Sequence, residues 1–266
     1  MSTRNKLFWP NGILFLYTRP MRIALLLLLF PLALCALYNG NPSMPMMPET
    51  GLFISKDAWV GVKGGYECDW VTRSPLEGAS QHRMHHYESW EQFDTLTLNL
   101  SDRAEVLAAF GSMQSQLSHS RLSYHAPKEW AWKVGGRAII AYWGDLQLSM
   151  NGSFLKCDPH ISSFKFNSVP YKTPRGSIDL TSWQVGVGTA YRFNWCIPYI
   201  GVNYMKFRSK LKHVSPLPRG RLTLKNALNF GLFFGVGLGL EKAVSLNAEA
   251  RFISENALSM SADFKF

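Results

Sequence analysis

The sequence predicts an all-β chain: an antiparallel transmembrane β-barrel of about ten strands (10 to 12), behind an N-terminal signal peptide. Three observations predict it. From residue 58 to the last residue, apolar and polar side chains alternate with a period of two, the period of a strand. Most of these segments reach the roughly 9 to 11 residues that a tilted membrane strand needs, where a soluble sandwich uses strands of about 5 or 6. The connections between them alternate short and long, as in a barrel with tight turns at one rim and loops at the other. Composition agrees. Charged residues are 17% of the chain, against about 25% in ordinary globular domains, while aromatics are 14% and glycines number 21. That balance excludes a disordered chain and argues against a helical bundle.

Taken in order, the first element is an export signal. Residues 23–37, IALLLLLFPLALCAL, form the only long apolar run. The run holds Pro31 and falls short of the roughly 20 residues of a spanning helix. Met21-Arg22 gives it a basic start, and small and turn residues follow it, the layout of a secretory signal peptide. Cleavage is expected after Ala36, and Met21 reads as the natural start. Residues 1–36 are thus leader and signal peptide. Residues 37–57, with Pro42, Pro45 and Pro48, read as an extended periplasmic linker, and 58–266 as the barrel. The whole chain carries +10, with 28 Lys and Arg against 18 Asp and Glu. The leader removes Arg4, Lys6, Arg19 and Arg22 and no acid, so much of the basicity goes with it. Nothing else points to a nucleic-acid partner.

The strands follow. AWVGVKGGYECDW (58–70) sets Val60, Val62, Tyr66, Cys68 and Trp70 against Lys63, Glu67 and Asp69. TLTLNL (95–100) alternates cleanly, and RAEVLAAFGSM (103–113) weakly enough to pass for a helix. EWAWKVGGRAIIAYW (129–143) sets Trp130, Trp132 and Val134 against Lys133 and Arg137. LQLSMNGSF (146–154), SWQVGVGTAYRF (182–193), PYIGVNYMKFR (198–208), FGLFFGVGLGL (230–240) and VSLNAEARF (244–252) repeat the pattern. The chain closes on ALSMSADFKF (257–266), whose last residue is Phe266. A terminus that alternates to its final residue is a paired strand, and a closed barrel pairs every strand. Short turns are expected near Ser101-Asp102, Gly144, Asn194-Trp195 and Glu241-Lys242. Long connections are expected at 71–92, 114–128, 158–178 and 209–221.

Five stretches, in this order, carry a resemblance: GNPSMP (40–45), LNLSDRAEVLAAFGSM (98–113), WKVGGRAIIAYWG (132–144), SIDLTSWQVGVGTAYRFNWCIPYIGVNY (177–204) and the closing SADFKF. The chain resembles the chlamydial major outer membrane protein family, which are porins, as a shortened paralogue. The resemblance implies localisation in the cell outer membrane, passive diffusion of ions or small solutes, and a trimer. It also implies recognition of the terminal Phe266 by the barrel-assembly machinery. The family is cysteine-rich and disulfide-linked in the envelope. This chain is not, because AEVLAAFG carries no cysteine, which weakens the cross-linking role and leaves the barrel untouched.

The residues themselves suggest where chemistry lies. A charge on the lipid face at mid-membrane costs about 2–4 kcal/mol for Lys or Arg, so the strand charges belong inside. Lys63, Glu67, Lys133, Arg137, Glu249, Arg251, Asp263 and Lys265 are the expected pore-lining residues, able to set ion selectivity. The alternative is that they pair with one another and close a narrow barrel, leaving a structural or surface-interaction role. Complete pairing favours that role, and an unpaired, mostly cationic lumen favours a pore. Tryptophans near the strand ends read as interfacial girdles. Cys68 and Cys157 are disulfide candidates, with each other or with another envelope protein, and Cys196 lies in a turn at the opposite rim. His82, His85 and His86 lack a second cluster to complete a metal site. Asp158, His160 and Glu88 fix no catalytic constellation. GLFFGVGLGLEK spaces its glycines as a strand, not as a phosphate loop. No enzyme, cofactor or metal is expected. Outer-membrane lipid is the expected environment.

Overall fold

The computed structural model describes residues 38, 40–47, 59–78, 84–119, 122–167, 169–213, 221–241 and 243–266. The leader and residues 48–58 lie outside the described residues, as does His82. Among the described residues twelve strands run in chain order: β1 (Val60–Gly78), β2 (Met84–Leu100), β3 (Ala104–His119), β4 (Leu122–Trp143), β5 (Leu146–Cys157), β6 (His160–Phe166), β7 (Val169–Tyr191), β8 (Cys196–Lys212), β9 (Arg221–Asn226), β10 (Phe230–Glu241), β11 (Val244–Phe252) and β12 (Asn256–Lys265). All pairings are antiparallel, and β12 pairs with β1, from Lys63↔Lys265 to Arg73↔Asn256. The sheet is therefore closed. The chain's last amide joins it, Phe266 N donating to the Val62 carbonyl at 2.8 Å. That bond is why the C-terminus keeps its alternation to the final residue.

The membrane wall has ten strands. β6 prolongs β5 upward between β4 and β7, and β9 prolongs β10 between β8 and β1. The β11–β12 hairpin is short. Above it, β9 pairs directly with β1 through Leu76↔Asn226 and Glu77↔Lys225. The wall thus narrows from ten strands to eight, in the ring β1-β2-β3-β4-β6-β7-β8-β9.

The segments expected as long loops are largely strand: β1 runs on to residue 78 and β4 begins at residue 122. The outward face explains this. Within the membrane, apolar side chains point out. Above it the polarity inverts, because the outside is water and the inside is packed. On β8, Ile200, Val202 and Tyr204 point out and Asn203 in. Past them Lys206, Arg208, Lys210 and Lys212 point out, while Met205, Phe207 and Leu211 are buried.

The short turns form where they were expected. Ser101 and Asp102 both have positive φ (52° and 53°), the pair of left-handed residues a tight hairpin requires. Asn99 Oδ1 accepts the Asp102 amide at 3.0 Å. Gly144 (φ 60°) and Asn194 (φ 47°) serve the next two turns. Exposed aromatics ring this rim, including Trp143, Tyr142, Trp195 and Phe193, with Trp90, Trp130 and Trp132 toward the other. These are the two girdles of a membrane barrel.

Candidate functional site: the barrel lumen

All eight charges expected inside are inside, each no more than 8% exposed. Strand parity delivers them: each lies one residue from a lipid-facing apolar neighbour. They are joined by Asp69, Glu91, Glu105 and Glu255, which are buried with them. Among the described buried residues, lumen acids outnumber bases seven to five. The charges form three knots. Glu105 accepts from Lys63 at 3.1 Å and from Arg137 at 3.0 Å. Lys133 bonds Glu67. Arg251 is fully buried and forks onto both oxygens of Asp69 at 2.7 Å, with Glu255 at 2.6 Å and Glu249 at 3.4 Å. At the periplasmic rim Lys265 reaches Asp102 at 2.9 Å.

Residues 38 and 40–47 lie within this lumen, not in an extended periplasmic linker. Tyr38 Oη meets Ser261 Oγ at 3.1 Å, and its ring takes Arg137 at 5.6 Å and Lys133 at 5.9 Å. The Gly40 amide donates to Glu249 at 2.9 Å, and Asn41 Nδ2 to Asn247 Oδ1 at 3.2 Å. A single turn of 3-10 helix, Met44–Met46, closes the segment. Lys63 donates to the Met44 and Met47 carbonyls, and Asn99 to the Pro45 carbonyl at 2.5 Å. A proline-rich strip has few amides to satisfy, so its carbonyls need donors. The inward lysine and asparagines supply them. The wall makes room through glycine: a Cβ on Gly237 would come within 2.0 Å of Asn41 Nδ2. Beside Tyr38, Lys63, Glu105 and Arg137 a cavity of about 10 Å³ remains, room for about one water.

The outer half is closed differently. Leu76, Tyr87, Met113, Leu117, Leu155, Ile161, Ile178, Leu180, Met205, Phe207, Leu211 and Leu224 point inward and form one apolar cluster. Tyr87 packs on Phe207 with ring centroids 4.7 Å apart. An eight-stranded ring is just wide enough for side chains to fill it, and here they do.

The three cysteines among the described residues do not pair with one another. Cys68, Cys157 and Cys196 are free thiols. Cys68 stands on the outward face of β1 opposite Met260, whereas Cys157 points inward on β5, buried in the apolar cluster, with β2, β3 and β4 between. Parity puts the two sulfurs on opposite faces of the wall, so the expected bridge between them is not made. Burial pushes the Cys157 thiol up to about 12, with the Glu91 and Asp158 charges adding to it. A thiol held protonated is a poor nucleophile. Iodoacetamide at pH 8 is therefore expected to leave Cys157 unmodified in the folded protein and to alkylate it fully after unfolding, read by peptide mass spectrometry. Alkylation of native Cys157 at the unfolded rate would contradict this packing.

His86 is half-buried on β2, and no group of three or more metal-ligating side chains occurs among the described residues. His160 faces Glu129 at 3.5 Å, Asp158 bonds Lys156, and Glu88 lies on β2, with β3 and β4 between. The structure does not bring these three together.

A closed antiparallel barrel with a lipid-facing apolar sleeve, two aromatic girdles and short turns at one rim is an outer-membrane β-barrel. Among curated proteins the chain is similar to the major outer membrane porin of Chlamydophila psittaci strain 6BC, with 22% identity over a match covering 54% of each protein. It matches the major outer membrane porin of Chlamydia psittaci to the same extent. The chain thus matches about half the length of these relatives. No family model matches it. Similar solved structures include an outer-membrane channel from Pseudomonas putida (9% identity, 79% of this chain and 96% of that one, TM-score 0.42). They also include OprG of Pseudomonas aeruginosa (10%, 79% and 96%, TM-score 0.38) and the protease OmpT of Escherichia coli (9%, 78% and 95%, TM-score 0.37). At those scores they add nothing to the fold read from the strand pairing itself.

Proposed function

We propose that this protein is a closed-lumen barrel of the outer envelope, with a structural or surface-interaction role exercised through its long outer strands. The observation that carries this reading is the filling of the lumen. The inward cations Lys63, Lys133, Arg137 and Arg251 are knotted to buried acids, residues 40–47 occupy the space between them, and an apolar cluster fills the narrow outer ring. A cation on a conduction path must be free to exchange partners with the passing ion. Lys63, Lys133, Arg137 and Arg251 are instead tied to buried acids. No catalytic arrangement among the described residues supports an enzymatic reading. Phe266, in its wall position, suits the recognition by assembly machinery that the resemblance implies.

The second reading is passive diffusion of ions or small solutes, with Lys63, Glu67, Lys133, Arg137, Glu249, Arg251, Asp263 and Lys265 as pore-lining residues. The similarity to a major outer membrane porin favours it. It requires both the inner segment and the apolar cluster to give way. Liposome swelling separates the readings. Proteoliposomes of the refolded chain from residue 37 are expected to swell in arabinose no faster than empty vesicles. Swelling that slows with increasing solute size would establish diffusion and overturn the closed reading.

A further inference from the structure

The outward face of the barrel carries its own charged cluster, separate from the lumen. It lies on β5, β7, β8 and β9, immediately above the lipid-facing sleeve. The sleeve there ends in Phe154, Trp183 and Tyr204, with the Tyr204 ring edge-on to Phe230 at 5.1 Å and tilted on Trp183 at 5.5 Å. One outward position further along β5 and β8, about 6–7 Å at the rise of a strand, the residues become basic. Lys156 follows Phe154, and Lys206, Arg208, Lys210 and Lys212 follow Tyr204. Lys225 stands opposite Arg208 on β9. Asp179 sits in the middle, accepting from Lys156 at 2.5 Å, with Lys210 at 3.6 Å and Lys212 at 3.8 Å. Asp158 takes Lys156 at 2.6 Å from the rim.

Six cations thus meet three acids on one face of the wall, Asp179, Asp158 and, opposite Lys225 on β1, Glu77. Ordinary folding does not call for this. Like charges on neighbouring strands destabilise a sheet, and one aspartate cannot neutralise three lysines. The Lys156 hydrogen bond holds the Asp179 carboxyl below the usual carboxylate range, so its single charge is already committed. The remaining excess points sideways, away from the barrel axis, at the height where an outer leaflet presents its headgroups. A soluble partner approaching from outside meets the strand tips first. A lipid beside the barrel meets this face along its whole height, with its acyl chains against Phe154, Val185 and Val202.

We propose that Lys156, Lys206, Arg208, Lys210, Lys212 and Lys225 form a binding site for the phosphorylated headgroup of an outer-leaflet glycolipid, seated against the Trp183–Tyr204 girdle. Lysines act as point charges toward phosphate and Arg208 supplies a bidentate fork. The ladder of cations rising along β8 matches a headgroup with more than one anionic group. This site does not depend on whether the lumen conducts.

The test is native mass spectrometry of the refolded chain in detergent, titrated with bis-phosphorylated lipid A or with the same lipid stripped of phosphate. The bis-phosphorylated lipid is expected to be retained and the stripped lipid to be lost. At about a factor of five per cation at an anionic surface, the triple variant K206Q/R208Q/K210Q is expected to lose on the order of a hundredfold in affinity. These side chains are outward and bathed in solvent, so the variant is expected to keep its heat-modifiable migration. The variant R103Q, at the periplasmic rim, serves as the control that keeps wild-type retention. Competition by millimolar inorganic phosphate would assign the site to soluble phosphate and overturn the lipid. Equal retention of the two lipids, or unchanged retention in the folded triple variant, would overturn the site itself.

Discussion

Replacing Arg251 with leucine is expected to destabilise the barrel by about 3–5 kcal/mol, the range for removing one partner of a buried charge pair. The Arg251 side chain has no exposed surface. Its guanidinium binds both Asp69 oxygens, Glu255 and Glu249, and donates also to Ser259. Leucine would leave three carboxylates facing one another in a space closed to water. The knot also ties β1, β11, β12 and the β11–β12 turn, the region where ten strands become eight. The measurement is the temperature at which the folded, fast-migrating form on gels converts to the unfolded form. R251L is expected to convert well below the wild-type temperature, or not to fold at all. R251K keeps a charge and loses the fork, and is expected to fall between them. The double variant D69N/R251L removes part of the stranded charge and should recover some of the loss.

The second large effect is expected at Phe207. Its ring is 2% exposed and packs against Tyr87 in the outer ring. Phe207→Ala is expected to cost about 3–5 kcal/mol, from lost apolar contact and from the cavity left behind. Phe207→Leu keeps most of the volume and is expected to cost less than about 1.5 kcal/mol. Hydrogen exchange gives the localisation. In F207A the amides of β6, β9 and the upper parts of β7 and β8 should lose protection, while β11 and β12, within the membrane wall, keep theirs. Uniform loss of protection would mean that the two parts of the wall fold as one unit. Wild-type behaviour would mean that the outer cluster contributes nothing.

These two residues also show what the sequence made legible. Arg251 was legible because VSLNAEARF alternates cleanly and lipid excludes its charge from the other face. The same parity had already set Cys68 among the lipid-facing residues, the observation that separates it from Cys157. Phe207 was not legible. The pattern sought was apolar outside and polar inside. Past Tyr204 the surroundings change from lipid to water, and the alternation continues with its sign reversed. Read for one sign only, the strand stops at Arg208, SKLK looks like a loop, and Phe207 falls on the face taken for polar. The upper halves of β1, β2, β4 and β7 were read as loops for the same reason, and Glu91 fell outside the expected start of β2. Glu105 sat in a stretch whose composition suits a helix equally well, and Glu255 in a turn. The inner segment was invisible for another reason. Prolines and small polar residues announce only that a stretch has few backbone donors. Its carbonyls are met by Lys63 and Asn99, from strands that a linear reading gives no cause to connect with it. The glycines of β10 were the one available sign. A row of inward glycines in a barrel strand leaves space, and here Asn41 fills it.

The account rests on the lumen being closed. Single-channel recording of the refolded chain from residue 37 in a planar bilayer, after heat-modifiable migration has shown the barrel to be folded, tests this most directly. The account predicts a flat baseline across the voltage range. Discrete current steps whose ion selectivity changes in R137E would contradict it, and would make the inward charges the lining of a working pore.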